Sequence, residues 1–304
     1  MMGIARKLIK DIRKNKYIYI MAVPVLLFYI VFCYVPMGGM LISFQDYSPA
    51  RGMLHSKWIG FQNFIDFFSS YQFPRLLGNT LLLSFYLIIF SFPAPLILAL
   101  LINELGGKVF KKTVQTISYL PHFISLVVIC GIIVDFTSSE GVINQILGVF
   151  GLTPVSFLMK PERFRPLFVV SDIWQHVGWG SIIYLAALSG IDQGLYEAAI
   201  IDGAGRFRQM ISVTIPCLLP TITVLFIMRI GNIMSVGYEK VILLYNPTIY
   251  STADIISTYI YRRGLLETNY GISTAVGSFN SIINFIFVWL ANRLSGWLSE
   301  NSLW

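Results

Sequence analysis

Charge is what this chain has least of. Only 12% of its 304 residues are Asp, Glu, Lys or Arg, against 56% hydrophobic residues and a mean hydropathy of +0.70. A soluble globular domain carries about 25% charged residues, so so apolar a chain has to hide its surface in lipid. Cysteine is scarce too. Cys33, Cys130 and Cys217 show no C-x-x-C or metal-ligand spacing, which excludes a disulfide framework and a thiolate metal site and leaves them as small buried hydrophobes. The three histidines (His55, His122, His176) lie in separate regions, and HExxH and GxSxG are both missing, so no catalytic or metal site is expected. There is no Gly-rich phosphate loop, and the chain is not expected to bind ATP or any other cofactor itself. Alternating strands are absent as well, which excludes a membrane β-barrel.

What the sequence does contain is long runs without charge. Residues 17–45, 76–103, 113–134 and 268–292 carry none, residues 166–191 carry only Asp172, and residues 209–228 are uncharged up to Arg229. About 20 apolar residues are needed to cross a bilayer as a helix. The pattern therefore predicts an all-α, polytopic protein with six spans, near 18–44, 79–102, 116–136, 167–190, 217–238 and 273–296. The first run is too long, and lacks the small-residue cleavage pattern, for a cleaved signal. Residues 1–17 form a basic tail and 18–304 a single transmembrane domain. Twelve Lys and Arg fall on the side of the tail and nine in the three longer loops on the other, with six of the twelve before the first span. That bias places both termini on the cytoplasmic side of the membrane. It also accounts for the net charge of +7 without a nucleic-acid partner.

Ionisable residues at membrane depth are costly, so they point to a pathway or to one another. In the fourth run Asp172, Gln175, His176 and Trp179 have the i, i+3, i+4, i+7 spacing of one helical face. In the fifth, Arg229, Asn232, Ile233 and Val236 repeat it. Two polar stripes suit a hydrophilic solute, and Trp179 offers a face for a sugar ring. Asp172 and Arg229 are also placed to form a buried ion pair.

Between these two runs lies a polar insert near 192–216, with YEAAIIDGAGRFRQMISVTIP at residues 196–216. It resembles the EAA loop of bacterial ABC importer permeases, in which a short coupling helix docks in a cleft of a cytoplasmic ATPase. Glu197, Ala198, Ala199, Asp202, Gly203, Ala204, Ile215 and Pro216 stand where that pattern has them. Asp202 is expected to cap the helix that follows and Gly203 and Gly205 to make the turns. Phe207 and Met210 are the expected apolar plugs, and Pro216 restarts the fifth span. Trp58-Ile59-Gly60-Phe61-Gln62-Asn63-Phe64 and Asn79-Thr80 are similar to segments of sugar-type permeases. The stretches 229–232 and 237–240 resemble the LplB-type carbohydrate permeases of Gram-positive bacteria. By position, the sugar contacts of the related maltose-type permeases fall on Asp172, Gln175, His176, Trp179, Arg229, Ile233 and Val236. The resemblance implies a type I ABC importer permease carrying a complex or acidic oligosaccharide by alternating access. It also implies a second homologous permease, two ATPase subunits that use ATP and Mg, and an external solute-binding lipoprotein. Two other readings stay open: an importer of peptides or an anion, and a membrane sensor on the same scaffold that moves no solute.

Overall fold

The structure, a computed structural model, describes residue 11 and residues 14–299. The basic tail 1–17 falls largely outside the described residues. Among the described residues, five stretches are long and apolar enough to cross a membrane: α1 (Lys16–Phe44), α3 (Phe73–Glu104), the stretch Leu126–Val149, α9 (Arg206–Ile230) and α11 (Tyr270–Gly296, helical to Ser299). The fourth expected span is α7, Pro161–Ser189, whose 29 residues reach ~44 Å at 1.5 Å each. It is less apolar than the five because it carries the polar stripe.

Two expected spans have other boundaries. The third is not one helix over 116–136. It consists of α4 (Lys108–Tyr119), a tight turn at Leu120–Phe123, and α5 (Leu126–Thr137), followed by α6 (Val142–Val149). Pro121 lacks the N–H that would continue α4, so the helix breaks there. The fifth begins earlier than 217 and ends earlier than 238. Helix α9 runs through Pro216, and the chain leaves helical geometry after Ile230.

Proline shapes three spans in the same way. Ile30–Tyr34, Leu87–Ser91 and Met210–Thr214 are wide helical turns lying just before Pro36, Pro93 and Pro216. In each the next N–H reaches back five residues, as Phe92 does to the Leu87 carbonyl. The widened turn absorbs the donor that proline lacks.

The described residues divide into two compact bodies, those up to residue 68 with 263–278, and 69–262 with 279–299. In the first, a short antiparallel pair joins β1 (Gln45–Asp46) to β2 (Lys57–Trp58) ahead of α2 (Gln62–Phe68). Trp58 stacks on Phe44 at 5.6 Å, and Asn63 Nδ2 donates to the carbonyls of Ser43 and Gln45. The W-x-G-x-x-N-F segment thus ties the loop that follows α1 to the end of that helix.

In the second body, Leu83, Leu87, Ile129, Ile133, Phe164 and Phe168 pack with Val236, Val241, Ile249 and Ile255. Asn79 and Thr80 are buried here. Asn79 donates to the carbonyls of Ser251 and Asp254 and accepts from Arg165, and Thr80 accepts the Ile256 N–H. Asp254 is fully buried and meets Arg262 at 2.9 Å and Arg75 at 3.4 Å. Burial pulls Arg262 down, but its bonds to Asp254 outweigh this and hold the guanidinium above its ordinary pKa. Of the three cysteines only Cys130 is buried; Cys33 and Cys217 are exposed.

Candidate functional site: a polar cavity and a coupling loop

The polar residues of α7 open onto a cavity of about 380 Å³. Asp172, His176 and Trp179 of α7, Ser91 of α3, Arg229 at the end of α9 and Asn232 just beyond it are among its lining. A second cavity of about 210 Å³ shares Asp172, His176, Arg229 and Asn232 and adds Ile233, Ser235 and Val236. The structure therefore brings together seven of the eight expected substrate residues. Gln175 is the exception: it is buried and faces Lys240, whose Nζ donates to Gln175 Oε1 at 3.3 Å.

The second stripe is not helical. Asn232, Ile233 and Val236 lie in an unwound segment, 231–237, between α9 and α10 (Tyr238–Leu244). Irregular backbone at membrane depth survives where its polar groups are satisfied or line a cavity. Here Ser84 Oγ donates to the Ile233 carbonyl, Asn284 Oδ1 accepts the Met234 N–H at 2.9 Å, and Asn284 Nδ2 donates to Ser235 Oγ at 3.0 Å. Glycines 231 and 237 at its two ends were the signal for this break.

Asp172 and Arg229 form no ion pair. Asp172 accepts a hydrogen bond from Ser91 Oγ, and His176 Nδ1 lies 3.3 Å from its Oδ1. Ser91 is presented by the widened turn before Pro93, so a backbone defect in α3 supplies the carboxylate's partner. Arg229 makes no ion pair among the described residues and is free to meet a solute.

Trp179 is half-exposed, and His122 stacks flat on it, with ring centres 4.7 Å apart and 3° between planes. His122 covers one face of the indole and Phe123 meets it at right angles, ring centres 5.4 Å apart, while the rest of Trp179 stays open to the cavity. His122 sits in the break of the third span, a place where residue spacing alone gave it no role. Its approach depends on Gly178, where an added Cβ would fall 2.0 Å from the Ser118 carbonyl oxygen. Only glycine lets the end of α4 press this closely on α7.

The polar insert builds a different site. Helix α8 spans Gln193–Ile201 and holds Glu197, Ala198 and Ala199. Its N-cap is Asp192, whose side chain accepts the Gly194 N–H at 3.0 Å. Asp202, expected to cap the following helix, instead ends α8. Gly203 follows at φ +75°, and the N–H groups of Gly203 and Ala204 return to the carbonyls of Ile200 and Ala199. This is a Schellman ending, and it explains D-G-A: a left-handed residue is needed directly after the cap. Gly205 then caps α9 at Arg206, so Pro216 lies inside a continuing helix and does not start one. Phe207 is exposed, as are Ile200 and Ile201, while Met210 is half-buried. The base of the insert is anchored by Ile191 and Tyr196 against Leu188 and Leu218, and Tyr196 Oη shares a hydrogen bond with Thr214 Oγ1 at 3.0 Å.

An apolar-tipped loop braced between two membrane helices that both line a polar cavity is the layout of a transport subunit. Residues 79–299 match the family described as the binding-protein-dependent transport system inner membrane component, and the chain belongs to that family. It is a membrane-embedded ABC importer permease that acts with a solute-binding protein; ATP hydrolysis in such systems resides on a separate subunit. Among its relatives, Protein LplB of Bacillus subtilis (strain 168) is 45% identical over 293 residues, covering 96% of this chain and 92% of that protein. The polygalacturonan/rhamnogalacturonan transport system permease protein YteP of the same organism is 44% identical over 300 residues, 98% of this chain and 94% of YteP. A crystal structure of a bacterial ABC transporter involved in the import of the acidic polysaccharide alginate superposes with a TM-score of 0.90 at 46% identity, covering 96% of this chain and 99% of that one.

Proposed function

We propose that this permease passes an acidic oligosaccharide into the cytoplasm by alternating access, with the cavity between α7 and the end of α9 as its solute site. The observation that carries this is the charge arrangement: Asp172 is occupied by Ser91 and His176, while Arg229 has no anionic partner. A sugar carboxylate would meet Arg229 as a charge-assisted hydrogen bond. The exposed part of Trp179 suits a pyranose ring, and Asn232 can exchange hydrogen bonds with hydroxyls. The similarity to a polygalacturonan permease and to an alginate importer supports a carboxylated sugar.

On this reading α8 and the start of α9 form the coupling element, with Glu197, Ala198, Ala199, Asp202, Gly203, Ala204, Gly205, Phe207, Met210 and Pro216 in or beside it. It faces the cytoplasm and docks on one of two ATPase subunits, which bind ATP and Mg. Its anchoring to α7 and α9 makes it a lever on both cavity-bearing elements. A second homologous permease completes the pore. Helix α1, in which the membrane-spanning window has no buried residue, supports a partner or lipid around it. The membrane is the bacterial inner membrane with both termini cytoplasmic.

The test is reconstitution of the whole importer in liposomes with its binding protein. ATP-dependent uptake of a labelled oligogalacturonate, competed weakly by a neutral oligosaccharide of equal length, is the expected result. Efficient uptake of the neutral sugar or of peptides, with none of the uronate, would reject the acidic reading. Binding-protein-stimulated ATPase activity without any solute movement would reject transport itself.

A further inference from the structure

Among the described residues, Lys240 and Asp254 are the only charged residues that are buried. Asp254 is balanced by two arginines. Lys240 is not balanced in that way: among the described residues it makes no ion pair, and its Nζ donates to Gln175 Oε1, with the Phe168 ring 5.4 Å away. A buried ammonium without a carboxylate partner is expensive, so a packing role alone would be served more cheaply by Met or Leu.

Its placement suggests what the charge is for. Phe168, Asp172 and Gln175 share one face of α7 at i, i+4 and i+7 spacing. Lys240 touches the first and the third of these, so it lies alongside the second, and its charge acts on the Asp172 carboxylate. Asp172 faces the cavity in front; Lys240 stands in the protein behind it.

We propose that Lys240 is a specificity-determining residue: its buried charge offsets Asp172, so that the cavity presents the net positive charge of Arg229 and admits carboxylated sugars in preference to neutral ones. Without Lys240, Asp172 and Arg229 would cancel and an anionic solute would lose its advantage. This inference rests on the acidic-oligosaccharide reading above and extends it to a residue that never touches the solute.

The experiment uses the reconstituted importer and two probes of equal length, an oligogalacturonate and its methyl-esterified, neutral counterpart. Lys240→Met is expected to lower the acid-over-ester uptake ratio about tenfold, with ester uptake largely kept. The charge-balanced double variant Asp172→Asn with Lys240→Met is expected to regain the wild-type ratio, whatever its absolute rate. A ratio unchanged by Lys240→Met overturns the proposal. A purely structural lysine would depress both probes alike and give that result; a double variant that assembles with a ratio different from wild type also overturns it, because removing both charges restores the balance the proposal requires. If Lys240→Met fails to assemble, the double variant carries the test alone by the same criterion. A wild-type importer with no acid preference removes the acidic reading itself, an outcome distinct from failure in the variants only.

Discussion

Gly203 shows how much one dihedral angle can matter. At φ +75° it permits the Schellman turn that ends α8, and an added Cβ there would meet nothing within 4 Å. The obstacle to substitution is therefore backbone conformation and not space. Gly203→Val is expected to cost ~1–2 kcal/mol in the local turn and to reduce stimulated ATPase activity and uptake together. Gly203→Asn, which tolerates left-handed geometry, should keep most of both. Equal loss in the two variants would mean that the surface, not the turn, is what the partner reads. On the proposed reading Trp179 works through area, and Trp179→Ala removes a stacking platform for the solute, a loss of ~1–3 kcal/mol by analogy with other base or ring platforms. The expected readout is weaker apparent affinity for solute, with unchanged membrane insertion. Arg229→Gln should weaken uptake of uronates more than of neutral sugars. Since Asp172 is not paired with Arg229, this variant leaves no carboxylate stranded and should assemble normally.

At the scale of elements, the distinctive features are interruptions. Pro93 widens α3, and Ser91 reaches Asp172 because of it. Pro121 breaks the third span, and His122 reaches Trp179 from that break. After Ile230 the fifth span unwinds, and Asn284 and Ser84 hold the loose backbone. Asn284→Ala would leave the Met234 N–H without its acceptor, at a cost of ~1–3 kcal/mol. A lower melting temperature in detergent, with a larger fractional loss of uptake than of ATPase coupling, is expected. An unchanged melting temperature would show that water replaces the amide. The i, i+3, i+4, i+7 spacing located the right residues on the fifth span for an incomplete reason. It presumes a helix, whereas Asn232, Ile233 and Val236 reach the cavity from unwound chain. Gln175 had the right spacing on a true helix and still turns away, because a buried lysine from a later segment holds it.

For the molecule as a whole, transport requires that the coupling loop and the outer loops lie on opposite sides of the membrane. Cysteine introduced at Leu54 or Ser251 should react with an impermeant maleimide on intact cells. Labels at Thr113 or Gln209 should react only after permeabilisation, with the native cysteines replaced. Reversed accessibility would reject the orientation drawn from the basic residues. The sequence by itself determined the class. Uncharged runs of bilayer length leave few structures other than membrane helices, because lipid cannot hydrogen-bond a bare backbone. The local motifs were legible for a similar reason: D-G-A and the prolines act on backbone geometry within a few residues. Tertiary structure alone decided the electrostatics of the cavity. Which cation faces which anion depends on segments far apart in the chain, with Ser91, His122 and Lys240 all meeting α7. Charge pairing is settled by distance in space, and no spacing along the sequence specifies that distance.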